Sequence, residues 1–251
     1  MRLRKSVRRI FFKGAQAVPA AVGVPVRNLV RRAFPNYLTI LDLLHAELCP
    51  TTYVEIGVRH GRSLSRARPD TFCVGIDPRP LRDAAPNTVI FALESDAFFG
   101  SRDLAEILGG RPVDLGFIDG MHTFEASLRD FMNLERFCAP GSVIAVHDCY
   151  PKDEAAAIRK GSTDGVWKLI VCLTEFRPDL QVAVVDVPPT GLGLVTRLDP
   201  ASTVLEDRSE EIHRRLAALG YDEVAPVKRE TLNLVPPDRE RVQAVLAERL
   251  L

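Results

Sequence analysis

The sequence has 251 residues, and the 46% that are hydrophobic suffice to bury a full core, which excludes global disorder. Lys and Arg balance Asp and Glu at 33 each, but nine basic residues and no acidic ones fall in the first 41 positions. The five cysteines form no C-x-x-C pair, and no apolar run reaches the ~18–20 residues of a membrane span. These features exclude a Cys-rich metal site and a transmembrane chain, and they predict reduced core cysteines in a cytoplasmic protein.

Residues 1–35 form the predicted basic N-terminal arm. Leu3, Val7 and Ile10 fall on one face of a helix, and basic residues occupy its other faces. One interpretation is a basic tail, or a helix packed on the acidic remainder of the chain. The other is that residues 1–34 contact an anionic membrane surface, where each basic residue would add about 1 kcal/mol. No interleaving of aromatic and basic residues favours specific binding of nucleic acid.

From residue 36 onward, apolar residues follow helical and strand periodicity in turn. Helices are predicted over 37–48 and at about 61–68, 97–108, 123–137 and 165–176. Near-continuous apolar runs predict seven buried strands: 51–57, 71–77, 87–94, 113–119, 142–148, 180–187 and 191–198.

The link between the last two strands, 188–191, is too short for a crossover helix, so these strands are expected to pair antiparallel. The sequence therefore predicts an α/β domain over 36–199, with a mostly parallel seven-stranded sheet, a terminal antiparallel hairpin and helices on both faces. Residues 200–251 are predicted to be a helical C-terminal appendage or a homo-oligomer contact.

The most informative motif follows the first strand. Glu55, Gly57 and Gly61 form the pattern E-x-G-x-x-x-G, and Asp77 ends the second strand. A glycine turn lets the backbone approach a ligand, and an acid at the tip of the next strand accepts hydrogen bonds from ribose hydroxyls. The motif therefore indicates an adenosine-bearing cofactor. Its spacing differs from the G-x-G-x-x-G of dinucleotide-binding folds, which disfavours a nucleotide-dependent oxidoreductase.

Two further motifs follow strands four and five: Phe117-Ile-Asp-Gly-Met-His122 and Val146-His-Asp-Cys149. Together with the glycine motif and the hairpin, they resemble those of class I S-adenosylmethionine-dependent methyltransferases. The resemblance covers roughly residues 36–198. Within this class, the motifs most resemble those of metal-dependent O-methyltransferases that act on sugars and small molecules. It implies the Rossmann-like class I methyltransferase fold and S-adenosylmethionine (SAM) as the cofactor.

The resemblance also implies roles for matching residues. Asp77 would accept hydrogen bonds from the ribose hydroxyls and dominate cofactor affinity, and Ser63 would lie near the methionine carboxylate. Ser95 and Asp96 would border the adenine, and Asp119 would lie below the reactive methyl group. Ser63 and Asp96 also fit structural roles, Asp96 as a helix N-cap. The implied cofactor-binding residues are Glu55, Gly57, Gly61, Ser63, Asp77, Ser95, Asp96 and Asp119.

A hydroxyl acceptor must lose its proton, either to a general base or because a divalent metal lowers its pKa. Asp119 and Asp148 match two positions that hold a metal such as Mg²⁺ in relatives, but Cys149 stands in the third place and Met121 replaces an acid. His122 is the alternative base, because the positive end of the helix that it opens would keep its imidazole neutral. It also fits a structural role as a cap of that helix.

His147 precedes Asp148 in a strand, so only one of the two side chains, Asp148, is expected to reach the site. Trp167 and Lys168 are expected to line a substrate lid. The candidate catalytic residues are Asp119, His122 and Asp148, of which Asp119 and Asp148 are candidate metal ligands.

The predicted function is a SAM-dependent methyltransferase that O-methylates a small-molecule or glycan-like acceptor. The alternative is a non-catalytic SAM- or nucleotide-binding module with the methyltransferase fold, which the departures at Met121 and Cys149 favour. The disfavoured oxidoreductase is a third hypothesis.

Overall fold

In residues 35–158 and 165–250, which the computed structural model describes, the protein has eight strands and eleven α-helices. The arm predicted for residues 1–35, apart from Pro35, lies outside the described residues, as does the membrane contact predicted for 1–34. The strands are β1 Thr52–Ile56, β2 Phe72–Ile76, β3 Thr88–Phe91, β4 Val113–Ile118, β5 Cys138–His147, β6 Gln181–Val185, β7 Leu192–Thr196 and β8 Leu234–Val235.

The helices are α1 Tyr37–Leu48, α2 Ser95–Ser101, α3 Leu104–Ile107, α4 Phe124–Glu135, α5 Glu154–Ala157, α6 Val166–Phe176, α7 Val204–Asp207, α8 Ser209–Ala218, α9 Tyr221–Val224, α10 Lys228–Thr231 and α11 Arg239–Ala247. The helix predicted over 61–68 was wrong, because this segment forms only a 3₁₀ turn at Leu64–Arg66. The helix predicted over 97–108 is two short helices, since the Asp103 carboxylate accepts hydrogen bonds from the N–H groups of Ala105 and Glu106 and starts a new helix there.

The strands form one sheet in the order β3-β2-β1-β4-β5-β7-β6-β8. Strands β1 to β5 pair in parallel, and β7 pairs antiparallel with both β5 and β6, which confirms the predicted hairpin. The predicted count of seven strands was wrong by one. The eighth strand is the pair Leu234–Val235, which runs parallel to the end of β6.

Two apolar layers cover the two faces of the sheet. Alternation along β1 sends Val54 to one layer and Tyr53 to the other. Helices α2, α3, α4, α6 and α8 pack on the Val54 face, and α1 and α11 pack on the Tyr53 face. Each large side chain buried in these layers contributes about 1.5–3 kcal/mol. The helices after residue 200 thus cover both faces of the sheet, while the domain boundaries at 35/36 and 199/200 stay predictions.

In helix α1, the local sequence determines where the helix begins, where it ends and which face is buried. The Asn36 side chain caps its start by accepting a hydrogen bond from the Thr39 N–H, and Cys49 ends it in the left-handed conformation. Ile40, Leu41 and Leu44 recur at helical spacing and are buried. Across the part of the chain that the structure describes, no helix combines the length and the hydropathy needed to span a bilayer.

Candidate functional site

The predicted site residues gather where four parallel strands end. Gly57, Asp77, Asp119 and Asp148 follow directly after β1, β2, β4 and β5. Two cavities open at this edge of the sheet, with volumes of about 700 and 360 Å³. Both cavities are lined by Gly57, Arg59 and Asp119, so they meet at the end of β4. Crevices at the carboxyl ends of parallel strands are where open α/β sheets bind ligands.

The glycine motif forms the turn between the two cavities. Gly57 has φ +94°, and a Cβ on it would lie 2.0 Å from the carbonyl oxygen of Asp119. Gly61 has φ +63°, and its N–H donates to the Val58 carbonyl at 2.7 Å. Both positions therefore need glycine, the first because two backbones touch there and the second because of its left-handed conformation.

Asp77 fixes the wall of the larger cavity. Its Oδ2 accepts a hydrogen bond from the Arg59 N–H, and its Oδ1 accepts one from the Arg79 N–H, both at 2.7 Å. A carboxylate offers about four acceptor sites, so Asp77 can still accept bonds from a ligand. The bond from Arg59 links the loop after β1 to the loop after β2 at the edge of the larger cavity.

Glu55 and Ser63 form a buried pair behind the glycine turn. The Ser63 hydroxyl donates to Glu55 Oε1 and the Tyr53 hydroxyl donates to Oε2, both at 2.7 Å. Burial raises the pKa of Glu55 to about 8, although these hydrogen bonds act in the opposite direction. Ser63 is 5% exposed and lines the smaller cavity. Its hydroxyl proton is committed to Glu55, which leaves only oxygen lone pairs for a ligand.

Ser95 and Asp96 begin α2 at the far side of the larger cavity. Ser95 lines that cavity and hydrogen-bonds to Asp130, a buried acid whose pKa is raised to about 6 by burial in spite of this bond. Asp96 is exposed and accepts hydrogen bonds from the Arg129 guanidinium at 3.1 and 3.2 Å. The N-cap of α2 is Glu94 rather than Asp96, so the capping interpretation of Asp96 was wrong. Its contact with adenine stays a prediction.

The ends of β4 and β5 carry a cluster of two aspartates and two histidines. His122 Nδ1 lies 2.9 Å from Asp148 Oδ2. His147 Nδ1 lies 3.1 Å from Asp119 Oδ1 and 3.3 Å from Asp148 Oδ1. The Thr190 hydroxyl, in the turn between β6 and β7, also donates to Asp148 Oδ1. All these groups lie within one hydrogen-bonded network beside Gly57 and Asp77.

Both His147 and Asp148 reach this cluster, so the expectation that only one would do so was wrong. Strand β5 ends at His147, and Asp148 has φ +62°, a left-handed conformation that breaks the alternation of side chains. The His147 ring packs against the Tyr37 ring of α1, with centroids 4.1 Å apart. The turn at Asp148 therefore brings a second imidazole to the site.

The hydrogen bonds of the cluster set its electrostatics. The bond to Asp148 raises the pKa of His122 above 6.5. The expectation that the helix end lowers the pKa of this imidazole was wrong, because the hydrogen bond to the Asp148 carboxylate raises it. Thr123 rather than His122 caps α4. Burial disfavours the charged form of His147, but bonds to Asp119 and Asp148 raise its pKa to about 10. Asp148 is buried, yet its hydrogen-bond donors hold its pKa below the usual range.

The two positions that depart from the metal-binding pattern differ in their surroundings. Cys149 is fully buried, its thiol donating to the Val146 carbonyl at 2.8 Å and its sulfur accepting from the Gly193 N–H at 3.1 Å. Burial also raises the pKa of this thiol, so Cys149 is a core residue and not a thiolate ligand. Met121 is 62% exposed and lines the larger cavity beside His122.

Atoms of Asp119, His122 and Asp148 that could ligate a metal all lie within 4.8 Å of one another. These three are the residues that the sequence selected as candidate catalytic groups. The sequence predicted only the two aspartates as ligands, and the imidazole is an addition from the structure.

The segment after β5 is held by the C-terminal helices. The Pro151 carbonyl accepts a hydrogen bond from the Tyr221 hydroxyl at 2.9 Å, and the Lys152 carbonyl accepts one from Lys228 Nζ at 3.0 Å. Lys228 Nζ also lies 4.8 Å from the centre of the Tyr150 ring. We call this set of contacts between residues 150–152 and Tyr221 and Lys228 the C-terminal clasp.

The prediction that Trp167 and Lys168 line a lid was wrong. Trp167 is 2% exposed and packs edge-on against Tyr221, and Lys168 Nζ donates to the Leu216 carbonyl at 2.6 Å. Both residues join α6 to the C-terminal helices. Tyr37 and Thr190, which contact the cluster, were not predicted, and neither stands in a motif that would have revealed it.

Comparison with known proteins gives a family match for part of the chain. Residues 54–149 match a family model described as a methyltransferase domain. No curated protein matches the chain significantly.

Among solved structures, the O-methyltransferase TomG from Streptomyces achromogenes, involved in tomaymycin synthesis and solved with SAM, is 18% identical with a TM-score of 0.52. That match covers 65% of this chain and 80% of TomG. Cofactor-bound Rv0187 from MTB is 17% identical with a TM-score of 0.50, over 66% of this chain and 82% of that one. The chain therefore has the fold of these proteins.

Proposed function

We propose that this chain, whose residues 54–149 match a methyltransferase-domain model, uses SAM to methylate a hydroxyl oxygen of a small-molecule or glycan-like acceptor. The observation that carries the proposal is the position of the Asp119–His122–Asp148 cluster. It lies at the junction of two cavities whose walls include the glycine turn and Asp77. Groups that can take up a proton thus stand beside a groove suited to an adenosine-bearing ligand.

The residues present fit SAM. The larger cavity of about 700 Å³ is within the range of small-molecule sites, and Asp77 keeps acceptor sites free at its wall. Asp77 would hold the ribose, Ser95 would border the base, and the glycine turn would bring backbone close to the ligand. When bound, SAM would supply a methyl group on a sulfonium: the acceptor oxygen would bond to the methyl carbon as the carbon–sulfur bond breaks in line, and S-adenosylhomocysteine would leave. Positioning therefore supplies much of the acceleration.

Proton removal from the acceptor falls to the cluster. Asp148 Oδ2 holds His122 Nδ1 at 2.9 Å, which fixes the ring and leaves Nε2 as the proton acceptor. The same bond raises the pKa of His122 and so strengthens it as a base. Asp119 lies at the cavity junction and is held by His147 at 3.1 Å. His147 thus positions Asp119 and Asp148 without lying on either cavity wall.

The same residues also fit a divalent metal, because two carboxylates and an imidazole lie within 4.8 Å. Asp119, His122 and Asp148 would hold it. A metal there would lower the pKa of the acceptor hydroxyl, and His122 would then serve as a ligand in place of its role as the base. Non-catalytic SAM binding is the second candidate function, favoured by Met121 and Cys149, which offer no acid at positions where relatives have one.

Calorimetry with S-adenosylhomocysteine tests the cofactor proposal. Wild type should bind it, and Asp77→Ala should bind about 10- to 100-fold more weakly, because hydrogen bonds to a charged acceptor contribute about 1.5–3 kcal/mol. Asp83→Ala is the matched control: this exposed acid lies further along the same loop, outside both cavities, and should leave the affinity unchanged. No binding by wild type would remove the cofactor assignment. An assay of SAM consumption over a panel of hydroxylated acceptors then separates the enzyme from the binding module.

We also propose a cytoplasmic location with peripheral contact to anionic membranes. Two observations support this proposal. The five cysteines are free thiols, as in cytoplasmic proteins, and residues 1–34 contain basic residues but no acidic ones. Removing residues 1–34 should abolish sedimentation with phosphatidylserine vesicles while S-adenosylhomocysteine affinity stays the same. Vesicle binding that persists would contradict the membrane contact. Light scattering tests the proposed homo-oligomer.

A further inference from the structure

The residues around the cluster depart from an all-oxygen metal site. Mg²⁺ takes oxygen ligands in a strict octahedral arrangement. Cys149, the neighbour of Asp148, directs its sulfur to the backbone at Val146 and Gly193 and is fully buried. Within the part of the chain that the structure describes, the imidazole of His122 joins Asp119 and Asp148 as a third candidate ligand.

A second observation concerns how the two carboxylates are held. The His147 side chain is 9% exposed, and its Nδ1 contacts Asp119 Oδ1 at 3.1 Å and Asp148 Oδ1 at 3.3 Å. Its Nε2 is buried and has no hydrogen-bond partner among the described residues. Thr190 donates to the same oxygen of Asp148. Residues that hydrogen-bond to metal ligands, as His147 and Thr190 do here, hold those ligands in a fixed orientation.

We infer that this centre binds a first-row divalent transition ion in preference to Mg²⁺, with His122 as its nitrogen ligand. The inference rests on the proposed function for the location of the site and goes beyond it in the ion selected. An imidazole nitrogen ligand favours transition ions over Mg²⁺, whereas a site of carboxylate and water ligands alone suits Mg²⁺ as well as it suits Mn²⁺. His122 is therefore the residue that decides selectivity, since Asp119 and Asp148 serve either kind of ion.

Mn²⁺ and Mg²⁺ are the probes for the test. Mn²⁺ is the weakest binder among the divalent first-row ions, so a preference seen with it is a conservative result. Calorimetry on the full-length protein should give a Kd for Mn²⁺ at least about tenfold below that for Mg²⁺. Pulsed electron paramagnetic resonance of bound Mn²⁺ should show coupling to a directly ligated imidazole nitrogen.

His122→Asn is the decisive variant, because its amide offers oxygen in place of nitrogen. It should lose the nitrogen coupling and weaken Mn²⁺ binding by at least about tenfold, while Mg²⁺ affinity stays the same or rises. His213→Asn is the matched control: this exposed histidine of α8 lines neither cavity and should change neither affinity nor coupling. Circular dichroism confirms that both variants are folded.

Three results would overturn the inference: wild type that binds Mn²⁺ no more tightly than Mg²⁺, Mn²⁺ binding without nitrogen coupling, or coupling that persists in His122→Asn. S-adenosylhomocysteine affinity is measured on the same preparations. Normal cofactor binding with any of these three results refutes the ion assignment alone. Loss of cofactor binding in wild type refutes the proposed function itself.

Discussion

A buried histidine remote from the cluster makes folding stability depend on pH. His45, near the end of α1, is 2% exposed, and neither of its ring nitrogens has a hydrogen-bond partner within the described residues. It packs edge-on against Tyr53, with ring centroids 4.8 Å apart. Burial lowers its pKa from 6.5 to about 4, with Arg68 adding to the effect.

The direction of the effect follows from proton uptake. Between pH 6.5 and pH 4 the unfolded chain protonates His45 while the folded protein does not, so stability falls as the pH falls. At about 1.36 kcal/mol per pKa unit, the loss reaches about 3 kcal/mol at pH 4. We expect His45→Phe to keep the packing against Tyr53 and to abolish this loss.

Urea unfolding of wild type and His45→Phe at pH 7.5 and pH 4 measures the effect. The free energy of unfolding of the variant relative to wild type should rise by about 3 kcal/mol at the lower pH. Glu55 and Asp130, whose raised pKa values act in the opposite direction, are common to both proteins and cancel in the difference. A difference that is constant with pH, or that falls at low pH, would refute the reasoning.

Three further changes test other parts of the structure. Gly57→Ala should cost at least about 2 kcal/mol, because φ is +94° and the new methyl would meet a backbone oxygen at 2.0 Å. Gly100→Ala, at an exposed position of α2 with no described atom within 4 Å of the new methyl, should stabilise by about 0.5–1 kcal/mol, and thermal unfolding compares the two variants. Arg177→Met should cost about 3–5 kcal/mol, since this 1%-exposed guanidinium pairs with a buried glutamate at 2.9 and 3.0 Å. Arg229→Met breaks an exposed pair with Asp186 and should cost under about 1 kcal/mol, and urea unfolding compares the two variants. Lys228→Met should speed amide hydrogen exchange in residues 150–158 without changing S-adenosylhomocysteine affinity, and unchanged exchange there would contradict a role for the clasp.

Periodicity and strand-end rules predicted the elements with strong patterns. The spacing of Ile40, Leu41 and Leu44 predicted α1 to the residue, and the short link 188–191 predicted the hairpin. Strand β8 could not be predicted, because two residues carry no period. The helix expected at 61–68 failed because the loop before it is tied by its backbone to Asp77, an interaction between distant residues.

The candidate site was predictable where residues directly follow strands. Asp77, Asp119 and Asp148 lie at the sheet edge where parallel strands must end together. The position of His147 was not predictable, because it depends on a left-handed backbone at Asp148 that residue type alone does not specify. The direction of the Cys149 side chain follows from the same turn.

The C-terminal clasp has a consequence for the order in which the structure can be completed during synthesis. Tyr221 and Lys228 hold carbonyls at Pro151 and Lys152 that left the ribosome some 70 residues earlier. A nascent chain can pair its first five strands and form the turn at Gly57 and Gly61 long before Lys228 emerges from the ribosome. The wall beside Asp148 can therefore be fastened only once residues 221–228 have been synthesised, later than the strands that carry Gly57 and Asp77.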